Sequence, residues 1–292
     1  MFDKDAVAKA LEWGKAQVPK ETPRALVEAC KCEPIDPDWP IQSPLHALEL
    51  MFAWEELTQR ERRRSVEEHT NWITHSHHHE YDDLNRLGYA KLYQEGEATK
   101  YVSIGWHLAG RYYYDVALIE DLEKRGWPKL KLIDFGAAAW IQACFYRKKG
   151  FDVTVVNQGL ESDSNRFGRF LAEANGVKGI REFSSDDPAW ADASYDIIYA
   201  MDVFEHIPPD GEEPGWLKYA DQLLETLKPG GLYFANAPFG EGKGTPKPVD
   251  SHPVHYTSPI SLGEWCIDRG LVQEGYLTKK PLNWKKKAKV QP

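Results

Sequence analysis

From residue 130 onward the chain alternates short apolar runs with amphipathic segments, and this alternation constrains the fold more than any other feature. Residues 130–135 read as a strand, and 138–149 as a helix stopped by Gly150. A second strand over 152–156 leads into a helix over 164–174, and a short third strand over 180–183 follows. The fourth strand, 195–201, contains the buried-type run Ile197-Ile198-Tyr199-Ala200. A helix over 216–227 closes at Lys228-Pro229-Gly230-Gly231, before a fifth strand over 232–236. Strands joined by helices imply right-handed crossovers and a parallel sheet covered on both faces. The expected class is α/β, with a doubly wound, mainly parallel sheet.

Ligands of such sheets bind at the carboxyl ends of the strands. Asp134, Asn157, residues 184–187, 201–206 and 237–239 fall at those ends. The first of them is the most informative. In Leu132-Ile133-Asp134-Phe135-Gly136-Ala137-Ala138-Ala139-Trp140 an apolar run stops at an acid and a small-residue turn opens a helix. Such a turn brings backbone N–H groups toward a nucleotide-like ligand and leaves a carboxylate beside it. Alanines stand where glycines are usual, which admits a ligand if the backbone keeps φ < 0 there.

Four motifs in order carry a family resemblance. They are 132–136, then 194–207 (Ser-Tyr-Asp-Ile-Ile-Tyr-Ala-Met-Asp-Val-Phe-Glu-His-Ile), Leu227-Lys228-Pro229-Gly230-Gly231-Leu232, and His252-Pro253-Val254-His255-Tyr256-Thr257-Ser258. Over roughly residues 115–275 this series resembles the class I S-adenosylmethionine-dependent methyltransferases of the small-molecule type. The resemblance implies a Rossmann-like sheet that binds S-adenosylmethionine. Gly136 then allows close backbone approach, with Ala138 in the same turn, and Asp134 binds the ammonium of the amino-acid part; otherwise Asp134 is a helix N-cap. The family usually places an acid at the end of the second strand for the ribose hydroxyls. This chain has Asn157, which lacks charge-assisted strength, and Glu161 is a candidate substitute. Asp186 or Asp187 stands where the family places a carboxylate near the adenine amino group, and the adjacent pair leaves the choice open. Met201, Asp202, Glu205 and His206 lie where methyl donor and acceptor would meet.

Methyl transfer needs alignment of the nucleophile and, for a hydroxyl or ammonium, removal of a proton. The unperturbed pKa of a histidine suits His206 to that task, beside Asp202 and Glu205; the other roles open to it are lining the pocket or purely structural. Relatives with carboxylates and a histidine here bind a divalent ion. Adjacent Glu205 and His206 face one point only if the backbone turns, and no metal is assigned.

The first 114 residues read as a mostly helical cap or lid with the acceptor pocket, and 115–292 as the cofactor-binding domain. Residues 4–17 have helical spacing, 33–44 form a proline-rich connector, and Ser43-Pro44 caps a helix expected to run to about Arg64. His69, His75, His77, His78 and His79 crowd one stretch. They read as a solvated or lid segment, as contributors to the active site, or as metal ligands. Among the aromatic residues of the cap, Trp106 and Tyr113 are candidate acceptor contacts together with His255, suited to a flat or cationic acceptor. The bland alternative for the aromatics is core between cap and sheet.

Net charge is −9, which argues against a nucleic-acid partner bound through a broad basic face. The lysines from Lys279 to Lys289 read as a protected strand edge. The four cysteines lack a paired metal pattern and read as reduced thiols. No run approaches the about 18 apolar residues of a membrane span, and no apolar signal core follows Met1. The expectation is a cytoplasmic S-adenosylmethionine-dependent methyltransferase acting on an O, N or C atom of a small molecule. The alternatives are a catalytically inactive partner on the same fold, and an NAD(P)-dependent oxidoreductase, disfavoured by the missing G-x-G-x-x-G pattern. A macromolecular acceptor is favoured only by the lysine tail.

Overall fold

The computed structural model describes residues 2–30, 36–126, 130–239, 247–249, 252–276 and 282–286. Contacts divide the chain into two compact units. The first is Met1–Val116 with Ala138–Gly150 and Gln158–Ile180; the second is Ala117–Ala137, Phe151–Asn157 and Arg181–Pro292. The segments 138–150 and 158–180, which the sequence groups with the sheet, thus join the first unit.

In chain order the elements before the sheet are α1 (Lys4–Gln17), α2 (Arg24–Ala29), α3 (Pro44–Leu57), α4 (Val66–Thr74), α5 (Ser76–Leu87), α6 (Tyr89–Glu95), α7 (Ala98–Trp106) and α8 (Tyr112–Lys124). There follow β1 (Lys131–Phe135), α9 (Ile141–Lys148), β2 (Asp152–Asn157), α10 (Asp163–Ala174), β3 (Arg181–Ser184) and β4 (Tyr195–Met201). The chain continues with α11 (Trp216–Thr226), β5 (Leu227–Asn236), β6 (Pro248–Val249), β7 (His252–Tyr256), α12 (Leu262–Asp268), β8 (Leu271–Tyr276) and β9 (Leu282–Lys286).

The second unit carries a seven-stranded sheet in the order β3-β2-β1-β4-β5-β9-β8. The first five strands are parallel, and β9 pairs antiparallel with both β5 and β8. The chain winds outward from β1 through β3, then returns past β1 to β4 and β5. This is the α/β, Rossmann-like, doubly wound arrangement expected, and its switch point lies between β1 and β4. Asp134 is central there, in register with Val155 of β2 and Tyr199 of β4. The core of this unit includes Ile133, Phe135, Ile198, Phe204, Trp216 and Trp265. The Phe135 ring packs 5.7 Å from Trp190 and 6.2 Å from Phe204, fixing the turn after β4 on the end of β1. Lys285 of β9 pairs with Leu232 on one side and Val272 on the other. The expected lysine-protected edge is therefore an interior strand; Lys279, Lys280, Lys287 and Lys289 lie outside the described residues.

In the first unit α1 lies on α3, where a Cβ on Gly14 would stand 2.8 Å from the Ala53 nitrogen. The helix begun at Ser43-Pro44 ends at Leu57, short of the expected Arg64. Gln59 takes a left-handed φ of 50°, and buried Glu55 draws the chain back by accepting from the Arg64 backbone N–H and guanidinium, both at 2.8 Å. The histidine stretch forms parts of α4 and α5. His69 is fully buried and is not part of a solvated segment: its ring meets Tyr101 Oη at 3.1 Å and Glu55 at 3.3 Å. His79 stacks on Trp72 at 4.1 Å and contacts Asn71 Oδ1 at 2.8 Å. Among the described residues, no helix is long and apolar enough to cross a membrane.

Candidate functional site

The strand ends of the second unit bring together the residues picked out at the fourth-strand motif. Asp134 is buried at the end of β1. Gly136 follows at φ 78°, and its N–H donates to the Val156 carbonyl at 2.8 Å. A Cβ there would lie 2.6 Å from Val203 Cβ. The missing side chain at Gly136 makes room for Val203. The condition on the alanines fails. Ala138 has φ 43° and Trp140 φ 60°, so the turn alternates through the left-handed region, at a cost of about 1–2 kcal/mol per non-glycine residue.

At the end of β2, Asn157 is buried, and its carbonyl accepts from the Ser185 N–H at 2.9 Å. Glu161, the candidate to act in place of an acid there, is 81% exposed and ion-paired with Arg169 at 3.2 Å. After β3 the two adjacent acids divide their roles. Asp187 caps the turn 188–192, its Oδ1 accepting from the Ala189 N–H at 2.9 Å. Asp186 is exposed, and its charge, after burial, helps hold the Tyr219 hydroxyl above the usual tyrosine range. Tyr219 also packs 5.4 Å from Phe135. Its part at this strand end is not legible in the sequence, where it is one aromatic in an amphipathic helix.

Met201 is buried at the end of β4 and paired with Asn236 of β5. Asp202 sits at φ 49°. Its N–H donates to the Asn236 carbonyl at 2.8 Å, and the Asn236 amide donates back to its carboxylate. The sequence does not single out Asn236, which holds Asp202 in this strained conformation.

The next residues, Phe204–His206, form one turn of 3-10 helix. This turn swings two consecutive side chains toward one point, which is the condition under which adjacent Glu205 and His206 can face it together. Glu205 is fully buried, and its Oε1 lies 3.9 Å from His206 Nε2. His206 Nδ1 is 3.1 Å from the Val254 carbonyl of β7. A carbonyl can only accept, so Nδ1 carries the proton and Nε2 presents its lone pair. His255, next along β7, sets its ring edge-to-face with His206, centroids 4.6 Å apart at 87°. Ligating atoms of Glu205, His206 and His255 lie within 4.8 Å of one another.

Trp106 and Tyr113 belong to the first unit. Both are exposed, at 42% and 45%, with Arg111 stacked 5.5 Å over Trp106 and Tyr112 stacked 4.3 Å from Tyr113.

No family model and no curated protein matches the chain. It is similar to solved structures at low identity. One is an S-adenosylmethionine-dependent methyltransferase from Clostridium acetobutylicum: 15% identity, TM-score 0.37, covering 44% of this chain and 50% of that one. The chain thus spans half the length of that protein. Another is an O-methyltransferase family protein from Burkholderia thailandensis: 12% identity, TM-score 0.47, covering 80% and 76%. A third is the 1,6-didemethyltoxoflavin-N1-methyltransferase of the same organism, solved with its substrate and S-adenosylhomocysteine: 16% identity, TM-score 0.44, covering 72% and 90%.

Proposed function

We propose that the protein is a class I S-adenosylmethionine-dependent methyltransferase that acts on an O, N or C atom of a small molecule. The observation that carries the reading is the series of polar groups along consecutive strand ends of one sheet: Asp134, Asn157, Asp186, then Asp202 to His206. The donor set fits the cofactor by chemistry. Buried Asp134 suits an ammonium, Asn157 offers an acceptor and a donor to ribose hydroxyls, and exposed Asp186 suits an exocyclic amine. When bound, the cofactor supplies an electrophilic methyl group on a sulfonium. His206, its tautomer set by Val254, offers Nε2 as an acceptor for a proton from the methyl acceptor. Trp106 and Tyr113 of the first unit are exposed aromatic surface of a kind that suits a flat or cationic molecule.

A second reading, an inactive partner protein on the same fold, draws on Asn157 and on the strained alanine turn. Calorimetric titration with S-adenosylhomocysteine separates the two. The enzyme reading expects saturable binding that weakens in Asp134→Asn. Absence of heat at millimolar ligand overturns it. The cytoplasm as its location belongs to the same reading.

A further inference from the structure

We propose that the π-turn His107–Arg111, between α7 and α8, is an acid-released hinge that neutral His107 holds closed. Three observations within the first unit carry this. The first is the backbone. A π-turn is rare and occurs mostly as a single turn inside an α-helix, often where a protein has a use for it. Here Gly110 leaves helical geometry, at φ 104° and ψ 12°. That φ suits glycine and interrupts the helix line at this point.

The second is the side chain packed under the turn. His107 is 3% exposed. Its ring lies 5.1 Å from that of Trp39, which packs in turn on Tyr112 and Phe145 at 5.8 and 4.9 Å. His107 hydrogen-bonds the Gln142 side chain of α9, a bond that favours the protonated ring, so the amide oxygen accepts. His107 Nδ1 is buried with no hydrogen-bond partner. The bond to Gln142 therefore uses Nε2–H, and Nδ1 holds a lone pair.

The third is what surrounds that lone pair. A proton on Nδ1 needs an acceptor, and a buried cation without one is costly. The Trp39 indole N–H, also buried without a partner, can only donate. The charge that bears on His107 is the Arg111 guanidinium at the far end of the turn, which repels a second cation. Trp39 from the segment before α3, Gln142 from α9 and Arg111 from the turn itself thus include no anion. Burial first, then Arg111, hold the imidazole neutral, well below the usual histidine range. In an open turn the same imidazole meets water and titrates near about 6.5. The open form then takes the proton first. The closed turn is fully favoured above about 6.5 and loses ground as pH falls below it, by close to tenfold in the opening equilibrium per pH unit. Opening carries the imidazolium to solvent and frees Trp106, over which Arg111 is stacked.

The test is hydrogen–deuterium exchange of the full chain, read by mass spectrometry from about pH 7.5 to about pH 5. Uptake is expressed as protection factors, which removes the intrinsic pH dependence of exchange. Protection of residues 102–116 is expected to fall close to tenfold per pH unit below about 6.5, while that of α10 holds. Glu55 and Glu97, at about 2, titrate outside this window. His107→Gln keeps a polar side chain that does not titrate, and should make protection of 102–116 independent of pH. Burial lowers His46 and His79 as well, so His46→Gln and His79→Gln are controls that should leave the slope at 102–116 unchanged. If His107→Gln leaves the segment unprotected at neutral pH, Gln142→Glu decides: a carboxylate beside Nε2 gives the imidazolium a partner, and the slope should flatten. Constant protection in the unaltered chain, an equal loss in α10, or a slope removed by either control overturns the proposal. So does an undiminished slope in His107→Gln or, where that variant is unprotected, in Gln142→Glu. The hinge does not depend on the methyl-transfer reading, and its test uses no ligand.

Discussion

Gly136 meets two separate bars to replacement. Its φ of 78° and the Val203 side chain beside it both exclude a Cβ. Gly136→Ala should lower stability by about 2–5 kcal/mol, the sum of an overpacking cost and a left-handed backbone cost. Adding Val203→Ala should recover the packing part and leave the backbone part, which a double-mutant cycle by urea denaturation reads directly. Two residues on, the sign reverses. Ala138 holds φ 43° with a Cβ, so Ala138→Gly should raise stability by about 0.5–1 kcal/mol, less than the strain released, because glycine also loosens the unfolded chain. A drop in stability would show that Ala138 packing outweighs its backbone strain. The sequence shows that this turn departs from the glycine-rich form, but not how. Backbone angles depend on the neighbours that close around a turn, and Val203 comes from the end of another strand. Asp187 shows the opposite case: its capping bond spans two residues, yet only the structure separates it from Asp186.

At the scale of elements, the densest electrostatics lie in the first unit, where α3, α4, α7 and α10 meet. Lys100 of α7 is buried, donating to the Glu97 carbonyl at 3.0 Å and pairing with Asp163 at the start of α10. Arg60 pairs with Glu97 at 2.6 Å, and Arg64 bridges Glu97 and Glu55 at 2.7 and 2.8 Å. Burial alone would raise Glu97, but Lys100, Arg60 and Arg64 hold it down to about 2. Burial is likewise outweighed at Glu55 by His69 and Arg64, which also hold it at about 2. A carboxylate depressed on folding contributes stability that is fully present above its unfolded pKa, about 4.3, and lost as pH falls toward the folded value. Unfolding free energy should therefore drop as pH is lowered from about 4.3 to about 2. Glu97→Gln should flatten that slope while lowering stability at neutral pH. Urea curves at a series of pH values check both, and parallel slopes for the two proteins would exclude the network as the source. Lys100→Met should cost about 1–3 kcal/mol, since Asp163 loses one partner but keeps Arg60 at 3.5 Å. None of this network is legible as such in the sequence. The arginines at 60–64 look like a charged helix end, and His69 looks like one of a solvated set. Partners such as Glu97 for Arg64 and Tyr101 for His69 lie more than thirty residues away, and burial of a charge is decided by what comes to pair with it. The strands were more readable, because an apolar run bounded by turn residues carries its signal locally.

For the whole molecule, the alternation of strands and helices was enough to anticipate the winding of the sheet, since crossover rules leave few topologies for such a series. It was not enough to say what the connecting helices rest on. Periodicity shows that a segment has an apolar face, and not which surface covers it. Here α9 and α10 lie in the first unit with the N-terminal helices. Trp54 of α3 packs 5.7 Å from Phe167 and 5.6 Å from Phe170 of α10, and Trp39 packs 4.9 Å from Phe145 of α9. All five rings are buried. Within the same unit, the Trp140 indole donates to Asn165 at 2.8 Å and lies where a Cβ on Gly168 would clash. A chain cut to residues 117–292 would keep every strand of the sheet and strip α9 and α10 of these partners. Exposing Phe145, Phe167 and Phe170 alone costs about 1.5–3 kcal/mol per side chain, a large share of the 5–15 kcal/mol that holds a domain folded. The fragment should therefore lose cooperative thermal unfolding and the near-ultraviolet dichroism of its tryptophans, while keeping much of its far-ultraviolet signal. A sharp melting transition in the fragment would show instead that the sheet supports its connecting helices without the N-terminal region. Adding residues 1–116 back as a separate chain makes the test two-sided. Restored near-ultraviolet dichroism on mixing is expected if the aromatic contacts of α3 with α10 hold the unit together, and Trp54→Ala in the added chain should weaken that recovery.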